Sequence, residues 1–492
     1  MTPSSSRFSR GSTSPMDTVA GGGPPPTQEV LVGRGAGLGT FGGVFTPSIL
    51  TILGVIMYLR FGWVVGNVGL TGALLIVTIS TLITFLTALS ISEIATDQRV
   101  RVGGAYYMIS RSLGIETGGA VGIPLFFAQA LSVALYTIGF AESVKNVFPQ
   151  VDERLVGLLT TVAVALLALK SARAAIRAQY FIMGAIGVSL ISFFFGSSVG
   201  PPDTVTVPLG NVAREDFWVV FAVFFPAVTG IMAGVNMSGD LKEPGKSIPK
   251  GTMAAVLVGY AIYMILPVFL SLRADADQLI RDPLIMRRMA LWGDAIILGV
   301  WGATLSSAVG SIMGAPRVLQ ALARDGVLPN SLRWLGKGSG PEDTPRAGTA
   351  VTLGIALAAV AMGNLNIIAP VLTMFFLTTY GVLNIAAGLE RLLGSPSFRP
   401  RFRVPWYLSG LGAVGCVSVM FLVNAVATVI AIVVVLGIYV WLERRELKSA
   451  WGDVRRGIWM AVTRAGLLRL RSTRDPKNWR PHLLVLSGSP TR

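Results

Sequence analysis

The sequence predicts an all-α integral membrane protein of about twelve transmembrane helices. Hydrophobic residues make up 52% of the 492 residues and charged residues only 13%, so lipid is needed to cover the apolar surface. The net charge of +16 comes from lysines and arginines in the gaps between apolar runs and in the C-terminal tail. That distribution follows the positive-inside rule, so the expected partner is a lipid bilayer and not a nucleic acid.

The chain divides into three parts by composition. Residues 1–37 are rich in Ser, Thr, Gly and Pro and predict a disordered cytoplasmic segment, residues 38–443 a transmembrane domain, and residues 444–492 a basic cytoplasmic tail. A spanning helix needs roughly 20 apolar residues. The predicted spans are 41–66, 70–93, 117–148, 155–170, 177–197, 215–238, 251–272, 292–323, 347–364, 367–392, 404–424 and 426–443.

The basic residues predict the orientation. With a cytoplasmic N-terminus, the basic clusters at 99–111, 170–177, 242–250, 317–346 and 391–403 all fall inside. The loops between these clusters carry few or mixed charges, as between Arg273 and Asp282. We therefore expect a protein of the cell membrane, either an inner membrane or a plasma membrane, with both termini on the cytoplasmic side. The tail from Arg444 either lies on the anionic leaflet or is a solvated linker.

Two of the apolar segments are interrupted in the same way. Pro47 and Gly54 interrupt the first segment, and Pro226 and Gly230 interrupt the sixth. Paired breaks of this kind mark the binding site of transporters built from inverted repeats. We therefore expect discontinuous first and sixth helices within a five-plus-five inverted repeat, because five spans invert the second copy. Ordinary helix packing by Gly and Pro remains the alternative.

A broken helix in lipid persists only where its freed backbone groups meet protein, water or a ligand. Carbonyls at the end of the first half-helix suit a cation, and N–H groups at the start of the second half suit an anion. The expected cation ligands are the carbonyls of Leu50, Thr51, Ile52, Leu53, Pro226 and Thr229. The expected anion ligands are the N–H groups of Gly54, Val55, Ile56, Gly230, Ile231 and Met232.

The eighth segment carries a further cluster of oxygen atoms. The carbonyl of Ala303 and the hydroxyls of Ser306 and Ser307 suit sodium, a hard cation that prefers several oxygen ligands. Serines in membrane helices are alternatively back-bonded to the preceding turn.

Two charged residues fall near the outer ends of predicted spans. Arg60 lies near the outer end of the first segment and Glu142 near the outer end of the third, and their pairing would form an outer gate. The alternative is that each snorkels separately to the interface. Tyr136 and Tyr380 are lone tyrosines in apolar runs that would otherwise be packing aromatics.

Nothing in the sequence indicates bond-making chemistry. It shows no nucleophile with its base, no phosphate-binding loop after a strand and no set of metal ligands. Cys416 and His482 are the single cysteine and the single histidine, which cannot build a disulfide framework or a Cys/His metal site. We therefore expect no enzyme activity, no cofactor and no metal beyond alkali cations.

Several stretches resemble the cation-chloride cotransporter family of the amino acid-polyamine-organocation superfamily. They run in order through the membrane part, as Leu38–Phe45, Ile52–Arg60, Ser112–Gly119, Tyr136–Glu142, Phe225–Gly230, Asn236–Leu241 and Ser306–Ala321. The resemblance implies a LeuT-like fold. It also implies electroneutral symport of chloride with sodium and/or potassium by alternating access.

The resemblance further assigns residues to individual ions. The implied sodium ligands are Leu50, Leu53, Ala303, Ser306 and Ser307; the potassium ligands are Thr51, Ile52, Tyr136, Pro226 and Thr229. The implied upper chloride site is Gly54, Val55 and Ile56, the lower chloride site is Gly230, Ile231, Met232 and Tyr380, and the outer gate is Arg60 with Glu142.

Some positions depart from the family pattern. Thr51 replaces the usual asparagine and Leu53 an aromatic residue, although both are expected to coordinate through the backbone. Ser306 and Ser307 resemble the sodium-dependent branches, whereas Leu38–Phe41 and the stretch after Gly314 resemble the potassium-chloride branch. Keeping both serines together with Tyr136 favours sodium, potassium and chloride moving together.

The C-terminal stretch Asn478–Gly488 resembles the opening strand of the family's large cytoplasmic domain. We therefore expect a prokaryotic-type member with a truncated C-terminal domain, and homodimer formation stays open. Two other functions also stay open. One is an amino acid or polyamine permease, which usually carries a small-residue nest where this chain has the bulky Thr51–Ile56. The other is a scaffold or subunit without transport activity.

Overall fold

The computed structural model describes residues 37–97, 100, 103–170, 172–199, 214–340, 343–363, 365–393, 398–445 and 463. The predicted disordered segment and most of the basic tail, including the stretch from Asn478, lie outside the described residues, as do Arg99 and Arg101. Within the described part, the regular elements are helices. The α-helices are α1 (Thr46–Ile52), α2 (Val55–Leu59), α3 (Phe61–Asp97), α4 (Gly104–Leu113), α5 (Ile115–Val147), α6 (Glu153–Lys170), α7 (Ala172–Phe194), α8 (Phe217–Phe224), α9 (Ile231–Asn236), α10 (Pro244–Arg273), α11 (Ala276–Arg281), α12 (Ile285–Met289), α13 (Gly293–Arg324), α14 (Arg346–Met362), α15 (Leu365–Leu393) and α16 (Trp406–Glu443).

The first predicted span is a broken helix. A π-helical turn, Phe41–Phe45, runs into α1, and the chain leaves the helical conformation at Leu53 and Gly54 before α2 begins. Helix α3 follows directly after Arg60 and changes direction at Gly69, whose φ is 69°. The bend at Gly69 falls between the predicted spans 41–66 and 70–93.

The sixth predicted span is broken in the same manner. Helix α8 tightens into a turn of 3₁₀ helix, Phe225–Val228, and α9 begins only after Thr229 and Gly230. The predicted discontinuities of both helices are therefore confirmed, at the positions where proline and glycine indicated them.

Nine helical stretches in the described residues are long and apolar enough to cross a membrane. They do not include α6 or the 17-residue α14, so the predicted count of twelve is not reached by length and composition alone. The long α16 contains a residue of extended backbone at Asn424, between the predicted spans 404–424 and 426–443. Helices α4, α11 and α12 lie in stretches that were expected to be loops.

The broken helices lie in the protein interior. About nine-tenths of the apolar stretch in Phe41–Leu59 is buried (89%), compared with 17% in α16. The stretch Phe217–Asp240 is 83% buried. Freed backbone groups at the two breaks are therefore surrounded by protein instead of lipid, which is the condition that lets such breaks persist.

Candidate functional site

The first break exposes backbone groups on both of its sides. Among the residues that the structure describes, the carbonyls of Leu50, Thr51 and Leu53 accept no hydrogen bond, and the N–H groups of Gly54, Val55 and Ile56 donate none. A Cβ atom at Gly54 would lie 2.7 Å from the carbonyl oxygen of Thr51, so the tight turn requires glycine. The predicted carbonyl and N–H ligands are thus available.

Two groups at this break, one side-chain hydroxyl and one backbone carbonyl, already form hydrogen bonds within the chain. The Thr51 hydroxyl donates its proton to the carbonyl of Pro47 at 2.9 Å, which leaves the lone pairs of the hydroxyl oxygen and the Thr51 carbonyl to accept a ligand. The carbonyl of Ile52 accepts the hydroxyl of Tyr263 at 2.7 Å and retains one lone pair. The sequence reasoning missed Tyr263, although it is a lone tyrosine in an apolar helix like Tyr136 and Tyr380.

At the second break, more of the polar groups form hydrogen bonds within the chain than at the first. The Thr229 hydroxyl donates to the carbonyl of Pro226 at 2.8 Å, and the N–H of Met232 donates to the carbonyl of Thr229 at 3.2 Å. In the part of the chain described, the N–H groups of Gly230 and Ile231 donate no hydrogen bond. Of the three expected anion donors, Met232 is therefore the one already used within the chain.

The second break also receives a tyrosine from α15. The hydroxyl of Tyr380 donates to the carbonyl of Thr229 at 3.1 Å, and Tyr380 is fully buried. The structure thus brings Tyr380 to the break to which the lower chloride site was assigned.

The two breaks lie against each other. A Cβ atom at Gly230 would lie 2.8 Å from the backbone nitrogen of Ile52 and 2.8 Å from the carbonyl oxygen of Ser48. Only glycine permits this approach, which places carbonyls and N–H groups from both broken helices around one region. Backbone groups of opposite polarity are therefore within reach of neighbouring ions.

The predicted sodium residues on α13 face protein and are free to accept a ligand. Ala303, Ser306 and Ser307 are buried, and α13 packs against α1, which ends beside Leu53. Neither serine hydroxyl forms a hydrogen bond within the described residues, so neither is back-bonded to the preceding turn. A buried hydroxyl without a partner costs stability and indicates a place for a ligand or water.

Helix α5 brings Tyr136 close to the first break. Gly139, one turn further along, packs so closely on Val55 that a Cβ atom would lie 2.1 Å from its side chain. Tyr136 is 5% exposed, and its hydroxyl makes no hydrogen bond to other described residues. This hydroxyl is therefore available to a ligand, as expected.

Arg60 and Glu142 form the predicted ion pair. The guanidinium donates two parallel hydrogen bonds to the carboxylate, at 2.8 and 2.9 Å, and the two side chains are only 11% and 16% exposed. Its Nε also donates to the amide oxygen of Asn366 in α15 at 2.8 Å, a partner that the sequence did not indicate. The alternative of separate snorkelling side chains is thereby excluded for this structure.

The nine long apolar helices and the two adjoining helix breaks define a multi-pass membrane protein of the permease class. The chain belongs to the amino acid permease family, whose model matches residues 43–456.

Within that family, the chain is similar in sequence to members of solute carrier family 12. The chain is 33% identical to solute carrier family 12 member 2 of Squalus acanthias, over 91% of this chain and 43% of the relative. It is 33% identical to the same member of Homo sapiens, over 94% and 44%, and 32% identical to solute carrier family 12 member 1 of Mus musculus, over 91% and 47%. The chain thus spans less than half the length of these curated relatives. Similarity to solute carrier family 12 confirms the family recognised from the sequence motifs, that of the cation-chloride cotransporters.

Proposed function

We propose that the chain is a secondary symporter that moves chloride together with sodium and potassium, electroneutrally and by alternating access. The observation that carries the proposal is the contact of the two breaks at Gly230 and Ile52. Among the described residues, the carbonyls of the first break other than that of Ile52, its N–H groups and the N–H groups of Gly230 and Ile231 have no hydrogen-bond partner. Helix α13, which carries the buried Ser306 and Ser307, packs against α1, which supports one site for both signs of charge, as cotransport requires.

The proposed ligands follow the chemistry of each group. Sodium is held by the carbonyls of Leu50, Leu53 and Ala303 and the hydroxyls of Ser306 and Ser307. The buried hydroxyl of Ser307, which has no hydrogen-bond partner among the described residues, supports this assignment. Potassium is held by the carbonyls of Thr51, Ile52, Pro226 and Thr229 and the hydroxyl of Tyr136. Chloride is held at one break by the N–H groups of Gly54, Val55 and Ile56. At the other break it is held by the N–H groups of Gly230 and Ile231, together with Met232 and Tyr380 once these two turn their protons from the Thr229 carbonyl to the ion.

The membrane arrangement belongs to the same proposal. Twelve crossings result if α6 and α14 also span and if α16 crosses twice, once on each side of Asn424. The first ten crossings then form the two inverted repeats of a LeuT-like fold, with α1, α2 and the start of α3 equivalent to α8 and α9. Both termini lie in the cytoplasm of a cell membrane, and Arg60 and Glu142 form the outer gate.

An amino acid or polyamine permease is the second candidate, because the matching family model is that of the amino acid permeases. The bulky side chains at the first break argue against this function. An α-carboxylate needs a nest of small residues, whereas Thr51–Ile56 has bulky side chains at every position but Gly54.

The test is tracer uptake into liposomes that contain the purified protein. Chloride uptake that requires both sodium and potassium is expected. Ser306→Ala combined with Ser307→Ala is expected to abolish the sodium requirement, because it removes two of five sodium ligands. Ser80→Ala is the matched control, since Ser80 on α3 is equally buried and its hydroxyl also lacks a partner among the described residues.

Each alternative predicts a different result in the same assay. Exchange of amino acids without chloride flux would establish the permease, and the absence of any flux would favour a scaffold. If the double serine variant keeps the sodium dependence of the unmodified protein, the sodium assignment is wrong.

A further inference from the structure

We infer that Asn384 on α15 positions Tyr380 at the second break and thereby sets the affinity of the protein for chloride. The inference deepens the proposed function and rests on it, because Tyr380 is a chloride ligand in that proposal. Asn384 lies four residues beyond Tyr380, about one helical turn further along α15, and its side chain is fully buried. The sequence reasoning gave no role to this asparagine.

Both N–H bonds and the oxygen atom of the Asn384 amide have partners. Its Nδ2 donates to the backbone carbonyl of Tyr380 at 2.9 Å and to the hydroxyl of Thr87 on α3, also at 2.9 Å. Its Oδ1 accepts the hydroxyl of Ser90 on α3 at 2.7 Å. Thr87 and Ser90 are three residues apart and so lie on one face of α3. The amide therefore fastens the turn of α15 that carries Tyr380 to that face.

The hydrogen-bond network continues from α3 to α16. The Ser90 hydroxyl gives its proton to the Asn384 oxygen, so the Ser409 hydroxyl on α16, 3.0 Å away, must donate to Ser90. Gly412 lies about one turn beyond Ser409 and packs on the amide itself, since a Cβ atom there would lie 2.7 Å from Oδ1 of Asn384. Asn384 is therefore a point at which α3, α15 and α16 are joined.

Apolar packing alone does not require an amide at position 384. The neighbouring residues Leu383, Ala386 and Ala387 on α15 are apolar and fully buried. A buried amide without partners is costly, whereas one whose partners are all present holds its helices in one arrangement. Hydrogen bonds depend on direction as well as distance, so they fix the rotation and the height of α15 against α3, which apolar contacts do not.

Tyr380 depends on that arrangement because its hydroxyl lies at the end of a long side chain. The hydroxyl reaches the Thr229 carbonyl at 3.1 Å, and the ring meets the rings of Phe225 and Phe376 with 6.3 Å between centroids in both cases. These ring contacts are apolar and tolerate small shifts. A rotation of α15 would carry the hydroxyl away from the N–H groups at the second break, and the chloride site would lose one of its ligands.

The test measures chloride binding by the purified protein and needs no transport. The unfolding temperature is followed while chloride replaces gluconate at constant, saturating sodium and potassium, and this dependence gives the apparent dissociation constant for chloride. Asn384→Leu replaces the amide by an apolar group of similar size and is expected to raise the constant roughly tenfold. Ser90→Ala removes only one bond to the amide, so the expected rise is about threefold, and this variant keeps the test decisive if Asn384→Leu fails to fold.

Two further measurements separate positioning from a general structural role. At saturating chloride, the apparent dissociation constant for sodium should change less than about twofold in Asn384→Leu, because the proposed sodium ligands lie on α1, α13 and the first break. Tyr380→Phe alone should raise the chloride constant roughly tenfold. Adding Asn384→Leu to Tyr380→Phe should raise it less than about twofold further, because Asn384 acts through a hydroxyl that is already missing.

Thr161→Val is the matched control. The hydroxyl of Thr161 on α6 forms a hydrogen bond with that of Thr137 on α5 at 2.9 Å, and both residues are fully buried. The control therefore also removes a buried hydrogen bond between two helices, but at a distance from α15. It should lower the unfolding temperature without ions and leave the chloride constant unchanged.

The inference is overturned if Asn384→Leu and Ser90→Ala keep the chloride constant of the unmodified protein, or if Thr161→Val raises it as much as they do. It is also overturned if the loss in the double variant is the product of the two single losses. A failure of the proposed function looks different. In that case the unmodified protein itself would show no stabilisation by chloride, and Asn384 would have no chloride ligand to position.

Discussion

Three buried tyrosines surround the breaks and use their hydroxyls differently. Tyr263 donates to the carbonyl of Ile52 and Tyr380 to that of Thr229, so these two hydroxyls support the backbone of the breaks. The hydroxyl of Tyr136 has no partner among the described residues and is left for a ligand. Equivalent substitutions at Tyr136 and Tyr263 should therefore have different consequences.

Tyr136→Phe is expected to weaken the potassium dependence of chloride uptake about tenfold, since one hydrogen-bonding group contributes roughly 1–2 kcal/mol. The thermal unfolding temperature without ions should not fall, because no internal hydrogen bond is lost. Tyr263→Phe is the control with the same change, and it should lower that temperature because it removes a buried hydrogen bond. Unchanged potassium dependence in Tyr136→Phe would exclude this hydroxyl as a ligand.

At the residue scale, the sequence predicted the positions of the two helix breaks, because the conformations of proline and glycine are local properties. The carbonyls and N–H groups at the breaks follow from the positions of Pro47, Gly54 and Gly230 alone. The contact between Tyr263 and Ile52 could not be predicted in this way, because 211 positions separate the two residues and only tertiary packing brings them together. Asn366, 306 positions from Arg60, was missed for the same reason.

At the scale of helices, the close approach of α1 and the second break is set by one glycine. Gly230→Ala adds a Cβ atom within 2.8 Å of backbone atoms of Ile52 and Ser48, so the two broken helices must move apart. We expect uptake to fall at least tenfold, with a lower unfolding temperature, because backbone atoms cannot relax as a flexible side chain does.

Gly310→Ala on α13 is the matched control for Gly230→Ala. A Cβ atom at Gly310 would meet nothing within 4 Å, and alanine favours a helix over glycine by about 1 kcal/mol. This variant should keep full uptake and unfold at the same or a slightly higher temperature. If Gly230→Ala also keeps full uptake, the contact of the two breaks is not needed for transport.

The bounds of the predicted spans match the helices closely because lipid allows few solutions: a span must be apolar, about 20 residues long and hydrogen-bonded within itself. Helix α4 was missed because this constraint does not act on it. It begins at Gly104, contains Arg111 and packs against the membrane helices at their predicted cytoplasmic ends. Hydropathy predicts helices that cross the lipid bilayer, but it does not predict short amphipathic helices.

For the whole molecule, the proposed site contains no charged side chain. Its proposed ligands are backbone carbonyls, backbone N–H groups and the hydroxyls of residues such as Ser307 and Tyr136. An uncompensated ion in a buried site without counter-charges is costly. We therefore expect cations and chloride ions to enter the proposed site together in equal numbers, since each compensates the charge of the other.

Electroneutrality of this kind gives a quantitative test. If one net charge moved per cycle, a membrane potential of 100 mV would add about 2.3 kcal/mol to the driving force of the cycle, and with two chloride ions per cycle it would change the chloride accumulation ratio roughly sevenfold. We expect no change in steady-state chloride accumulation when the potential of the liposomes is set to either sign at constant ion gradients. Accumulation that follows the potential would mean that the site holds an unbalanced charge.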